Sequence, residues 1–441
     1  MSCEIHHTPT RRDSGVCVDA VGGPCFTSPM INRYNSPKMA AVWSDQNKIE
    51  TWARIELEVM KAQGKRGIVE PDLWRALELV LLPTPDEVAH QELTLKHDVM
   101  AFLEAWRQKT DNRELHRFLH FGLTSSDIVE TSQAILLAEA TWLISSAGYD
   151  LLDALIEHAF RYKDTRRAGR THGQVAEPTT WGYRVADIAF ALDRSLDRLG
   201  FAVIGTQSAH ISGPIGNYAH VPRSVELDVA RELGLNAPNS ATQVLMRDSL
   251  GAWAYSLANL VSICEAFALE VRHGQRTELS ELFEGTSAGQ EGSSSMPHKA
   301  NPITSEKICG LARMARAYVM PITEGVALWH ERDISHSSVE RIALPDLCAI
   351  TEHVLTATTD LVKNLRINAA KMHYNGASQG STTMLNKYIR AGMTRNEAYQ
   401  AAKLGTREQC EPADTQHTWD ALTTLRLAIE EAKTMNGVSS L

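Results

Sequence analysis

Residues 292–302 hold the densest run of chemistry-bearing side chains in the sequence: Gly292-Ser293-Ser294-Ser295-Met296-Pro297-His298-Lys299-Ala300-Asn301-Pro302. Gly285, Thr286, Ser287, Ala288, Gly289 and Gln290 precede it, and residues this small predict a loop that moves. Asn301 is suited to cap a helix whose first position is Pro302. Such a helix start offers backbone N–H groups and the positive end of a dipole to an anion, and Lys299 adds a full charge beside it. The arrangement fits the handling of a carboxylate. A plain Ser-rich linker is the competing reading. A second polar break, with Arg170-Thr171-His172-Gly173, brings a histidine whose side chain titrates near neutrality.

Such loops need rigid ends. Apolar residues recur at helical spacing from Met39 onward, for example Met39, Val42 and Trp43, then Ile49, Trp52, Ile55 and Met60. The pattern predicts long helices over residues 129–162, from 178 to about 204, 248–275, 302–319 and 345–365. Three polar stretches, residues 169–180, 285–301 and 330–341, interrupt them, and loops set in a rigid frame are where function concentrates. Long helices with few alternating runs predict an all-α fold built on a central bundle. Leu257, Leu260, Val261, Ile263, Cys264, Phe267 and Ala268 make one helix apolar on more than one face, which predicts burial deep in a bundle or between subunits, and an oligomer with central helices at its core. A single large monomer would cover them equally well.

The bulk properties narrow the function. The chain has 441 residues and a formal net charge of −9, so its whole surface does not advertise nucleic-acid or anionic-membrane binding. Charges interrupt the apolar stretches before the ~20 residues that a membrane span needs. The seven cysteines form no C-x-x-C pair and are odd in number, which points to a reducing compartment and hence the cytoplasm. His6-His7, His116/His120 and His330/His336 have no acidic or cysteine company at metal-ligand spacing, so neither metal nor cofactor is expected. Residues 1–29 lack periodicity and an apolar h-region, and read as a disordered N-terminal extension, or an over-long start with Met30 as the effective first residue, rather than a secretory signal.

Residues 292–302 resemble the G-S-S-x-M-P-x-K-x-N-P signature of the fumarase/aspartase superfamily, and His298 between Pro297 and Lys299 is similar to adenylosuccinate lyases and carboxymuconate cycloisomerases. Further segments resemble the adenylosuccinate lyase family: Met30-Ile31-Asn32-Arg33-Tyr34, Lys96-His97-Asp98, and His120-Phe121-Gly122-Leu123-Thr124-Ser125-Ser126-Asp127. Arg170-Thr171-His172-Gly173, Thr242-Gln243 with Arg247-Asp248, and Trp329-His330-Glu331-Arg332-Asp333 with Ser337 and Glu340-Arg341 continue the match in order to about Leu365.

The resemblance implies a three-domain all-α fold, a homotetramer whose active sites are shared between subunits, and β-elimination of fumarate from a succinylated purine nucleotide. It implies Ser293 as general base, His172 as the acid that protonates the leaving nitrogen, and Glu306 as the residue that steadies His172. Developing charge on the carboxylate requires fixed positive groups, for which Lys299 and Asn301 are the candidates. The substrate's phosphate and carboxylates call for Arg33, Lys96, His97, Arg332 and Arg341, with Tyr34, Asp98, Thr124, Ser125, Thr171, Gln243 and Ser337 beside them.

The domains are expected at residues 30–142, 143–394 and 395–441. Ala300 stands where many family members have arginine. Residues 375–392 read as altered and shortened, and Thr394-Arg395-Asn396-Glu397-Ala398-Tyr399 resembles the start of the third domain. A muconate cycloisomerase and a catalytically silent helical scaffold remain as competing functions.

Overall fold

The structure, a computed structural model, describes residues 31–285, 296, 299–376, 381–404 and 411–435. Ser293 and His298 lie outside the described residues, as does the N-terminal stretch read above as disordered.

Five long helices form the frame: Ser125–Arg161, Trp181–Thr206, Asp248–Gly274, Ile303–Glu324 and Ser335–Asn364. Their inward faces share one apolar core that includes Leu152, Trp181, Leu192, Trp253, Phe267, Ala312 and Leu347. Trp181 and Trp253 are fully buried and their indole N–H groups are satisfied by His158 and Thr141 at 2.9 Å each. A second core packs Trp52, Phe102 and Trp106 of the N-terminal helices with Ile128 and Ile135 of the first long helix and Ile211, Val225 and Val229.

The Ile303–Glu324 and Ser335–Asn364 helices run antiparallel. Tyr318 donates to Asp346 Oδ2 at 2.7 Å, and a Cβ on Gly325 would sit 3.8 Å from His336. The bundle therefore has two ends. One gathers the start of Ser125–Arg161, the start of Asp248–Gly274, the end of Ile303–Glu324 and the start of Ser335–Asn364. The other gathers the start of Ile303–Glu324, the end of Ser335–Asn364 and a two-stranded hairpin, Arg166–Thr171 with Gln174–Thr180.

Two features depart from the sequence reading. The fifth helix begins at Ser335, with Pro345 inside it rather than near its start, so half of the 330–341 break is helical. Leu257, Leu260, Val261, Cys264, Phe267 and Ala268 are buried within the chain itself, so their apolar character needs no neighbouring subunit to cover it. Other positions on the long helices do face outward: Trp142 at 53% exposure, Phe201 at 78%, Tyr255 at 60% and Met320 at 69%. Asp248–Gly274 is long and apolar enough to cross a membrane on length and composition, yet its core-facing side packs inside the bundle.

Candidate active site

The hairpin presents His172. Thr171 pairs with Gln174, leaving His172 and Gly173 as a two-residue turn with φ of 56° and 73°. A two-residue hairpin turn of type I′ needs positive φ at both central positions, which glycine meets freely and histidine less readily. Gly169 makes the bulge between Ala168 and Arg170, where a Cβ would meet Glu177 O at 2.6 Å. Arg170 locks the hairpin to the bundle through both oxygens of Glu281, at 2.6 and 3.1 Å. Asn375 donates to the same carboxylate at 2.8 Å. Thr171 and His172 themselves are exposed.

At the same end, Lys299 and Glu306 are exposed, and Asn301 is half-buried just ahead of the Ile303–Glu324 helix. The structure corrects two expectations here. The helix starts at Ile303, not Pro302, and no side chain of the preceding cap residue satisfies it. Glu306 lies in its first turn. The donors offered to a substrate anion are already used: Glu284, buried, accepts from Thr304 N at 3.0 Å, Ser305 N at 2.7 Å and Ser305 Oγ at 2.5 Å. A carboxylate from the protein therefore occupies the positive end of the dipole.

Arg33 and Tyr34 lie in a short turn against the side of the fifth helix, with the Tyr34 ring packed at a tilt against His353, 5.2 Å between ring centroids. Burial and then the Arg33 charge press the Lys307 ammonium down from its usual value. His353 is lowered to about 4 by burial and by Lys307. This cluster is cationic, and Lys307 was not anticipated.

The other end of the bundle collects the remaining residues. Arg332 Nη1 donates to Gln243 Oε1 at 2.9 Å, and the Gln243 N–H donates to Glu331 O at 3.2 Å. Gln243 Nε2 donates to Pro214 O at 2.9 Å. Arg341 donates to Asp98 Oδ2 and, through Nε, to Ser337 at 3.3 Å. Burial works to raise the Asp98 carboxyl, but the charge and hydrogen bond of Arg341 outweigh it and hold it below the usual range. Lys96, in the left-handed region at φ 52°, and His97 are exposed beside it. Thr124 and Ser125 open the first long helix, where the Thr124 N–H donates to Asp127 Oδ2 at 2.8 Å.

These two groups of residues are far apart in one chain. Arg332, Ser337 and Arg341 lie level with the end of the 22-residue Ile303–Glu324 helix, and Lys299 and Asn301 precede its start. At ~1.5 Å per residue, about 30 Å of helix separates them. About 18 Å of rise on the Ser335–Asn364 helix likewise separates Arg341 from the His353 that Tyr34 packs against.

Beneath the second group lies a buried charge network that the sequence did not disclose. Asp127 Oδ1 accepts from Ser212 N at 2.9 Å, Gly213 N at 3.1 Å and His210 Nδ1 at 3.1 Å. His210 Nε2 faces Thr242 O at 3.2 Å and the Ser212 hydroxyl at 3.3 Å, so both ring nitrogens are engaged. Its pKa is raised: burial opposes this, and the hydrogen bond and charge of Asp127 prevail. Beside it, Arg247 is gripped by Glu130 at 2.5 and 2.6 Å and by Glu340 at 2.9 and 3.2 Å. Among the described residues no three histidine, cysteine or acidic side chains are grouped as a metal would require.

Comparison with known proteins places this geometry in context. A family profile described as lyase matches residues 81–316. The adenylosuccinate lyase of Synechocystis sp. is 38% identical over 378 residues, covering 85% of this chain and 87% of the relative. That of Aquifex aeolicus is 39% identical over 84% of this chain and 86% of the relative, and that of Bacillus subtilis 37% over 85% and 87%. Among solved structures, the fumarate lyase from Mesorhizobium sp. BNC1 superimposes with a TM-score of 0.76 at 24% identity, covering 85% of this chain and 87% of that one. The 3-carboxy-cis,cis-muconate lactonizing enzyme from Pseudomonas putida gives 0.76 at 25% identity, with 84% and 85% covered.

Proposed function

This chain belongs to the adenylosuccinate lyase family, and we propose that it releases fumarate by β-elimination from adenylosuccinate, giving AMP, and from the succinylaminoimidazole-carboxamide ribotide of purine synthesis (SAICAR), giving the carboxamide ribotide (AICAR). The observation that carries this reading is the identity of 37–39% to adenylosuccinate lyases, sustained over most of this chain and of theirs. The muconate lactonizing enzyme shares the fold at lower identity, which ranks that activity second.

Elimination removes a poorly acidic proton from the carbon next to a carboxylate and expels a nitrogen. Ser293 takes the proton. Charge spreads into the neighbouring carboxylate, where Lys299 and Asn301 meet it. His172 gives its proton to the leaving nitrogen, with Glu306 holding the ring. Arg332, Gln243, Ser337 and Arg341 grip the nucleotide with Thr124, Ser125, Thr171, Lys96 and His97, while Arg33 and Tyr34 add a further anion contact. Asp98 acts by aiming Arg341.

The wide spacing of these groups along one bundle supports a site assembled from several copies, as a cytoplasmic homotetramer would provide. Exposed Trp142, Phe201, Tyr255 and Met320 supply apolar surface for that assembly. The domain limits at residues 30–142, 143–394 and 395–441 remain part of this proposal. The test is to mix two inactive variants, His172→Ala and Arg332→Ala, after subunit exchange. Regained turnover supports shared sites, and none regained in a mixed oligomer counts against them.

A further inference from the structure

Three segments at one end of the bundle carry the proposed nucleotide contacts: the first turns of Ser125–Arg161, residues 242–247 and the first turns of Ser335–Asn364. The Arg247 side chain is bonded to all three. Its guanidinium, 3% exposed, takes Glu130 on the first segment and Glu340 on the third through paired bonds, and returns to Leu245 O on its own at 2.7 Å. Glu130 also accepts from Leu245 N at 3.2 Å. Bidentate pairs of this kind fix angle as well as distance, because the fork of the guanidinium is rigid. The consequences sit one residue or one turn away. Glu340 is next to Arg341 and one turn from Ser337. Residues 242–247 are pinned at Thr242 by His210, at Leu245 by Glu130 and at Arg247, so Gln243, which holds Arg332, has little freedom.

We infer that Arg247 is a positioning residue for the nucleotide, a clamp that sets the spacing of Gln243, Arg332, Ser337 and Arg341 without touching substrate. The inference rests on the reading that those four residues bind the nucleotide. Two carboxylates share one guanidinium, so the clamp is an expensive way to fill a core. Apolar replacement of a buried ionic triad is often tolerated by the fold, and that separates geometry from stability.

The experiment compares three variants of the full-length enzyme on adenylosuccinate, each with a thermal melt. The triple variant E130Q/R247M/E340Q removes the ions together. If it melts near the parent, KM rises by about tenfold or more while kcat changes by less than about threefold. If it does not fold, R247K is the deciding variant: it keeps the charge, loses the fork, and raises KM by at least about threefold in a folded protein. Gln243→Ala is the control on the underlying reading. KM moved by Q243A and unmoved in the folded triple variant, or in folded R247K where the triple does not fold, overturns the positioning role. KM unmoved by Q243A removes the nucleotide-binding reading on which it stands.

Discussion

Replacing Glu284 by alanine should cripple turnover from a position that no substrate atom needs to touch. Glu284 is 6% exposed and its two oxygens serve the Thr304 and Ser305 N–H groups and the Ser305 hydroxyl. Loss of a helix cap costs about 0.5–2 kcal/mol, and hydrogen bonds to a charged group are worth about 1.5–3 kcal/mol each before water replaces part of them. Favourable interaction with the dipole adds up to about 2 kcal/mol in a partly buried setting. These terms overlap, so the net loss is of order 3 kcal/mol, concentrated in the first turn of Ile303–Glu324. That turn carries Glu306 and anchors Asn301 and Lys299. Misplacing such groups by a fraction of an ångström is enough to slow the chemical step, so kcat for fumarate release should fall by at least about tenfold. Glu284→Gln, which keeps the shape and one acceptor, should fall between the two. A folded Glu284→Ala enzyme with kcat within about twofold of the parent would refute the argument.

Other consequences are simpler to state. His172→Ala and Ser293→Ala should each lose several orders of magnitude in kcat while the circular dichroism of the protein is unchanged; near-parental turnover in either removes its assigned role. Asp98→Asn should free Arg341 and raise KM for adenylosuccinate with little change in kcat, and an unchanged KM would show that Arg341 needs no guide. His158 carries a pH signature. Burial, then the Arg161 charge, lowers its pKa to about 4, and as a neutral ring it accepts the Trp181 indole N–H at 2.9 Å. In the unfolded chain it titrates near ~6.5. Between those values the unfolded chain binds a proton that the native one does not, so stability falls as pH drops through the window, by roughly 3 kcal/mol per subunit at full extent. His158→Gln should flatten the difference between urea midpoints at pH 7 and pH 5; an equal slope in both proteins contradicts this.

The long helices were legible because each carries an apolar stripe over many turns, and the starts and ends of the first and third were within a few residues. The fifth helix reads as 345–365 in the sequence, whereas it runs from Ser335 and the bundle tolerates Pro345 inside it. The hairpin around His172 showed only as a polar break, since Arg166–Thr171 has no alternating apolar face to announce a strand. The charge clamp was invisible for a different reason. Glu130, Arg247 and Glu340 each look like surface residues in sequence, and only the folded bundle brings them within hydrogen-bond reach. Glu284 likewise has no local signal, because it caps a helix that begins well beyond it in the chain.

The most direct measurement is the ultraviolet absorbance change when the purified protein meets adenylosuccinate, with fumarate and AMP identified in the product. The account predicts prompt turnover with the two products in equal amounts. A folded, oligomeric protein that leaves adenylosuccinate intact while converting a carboxymuconate would contradict it.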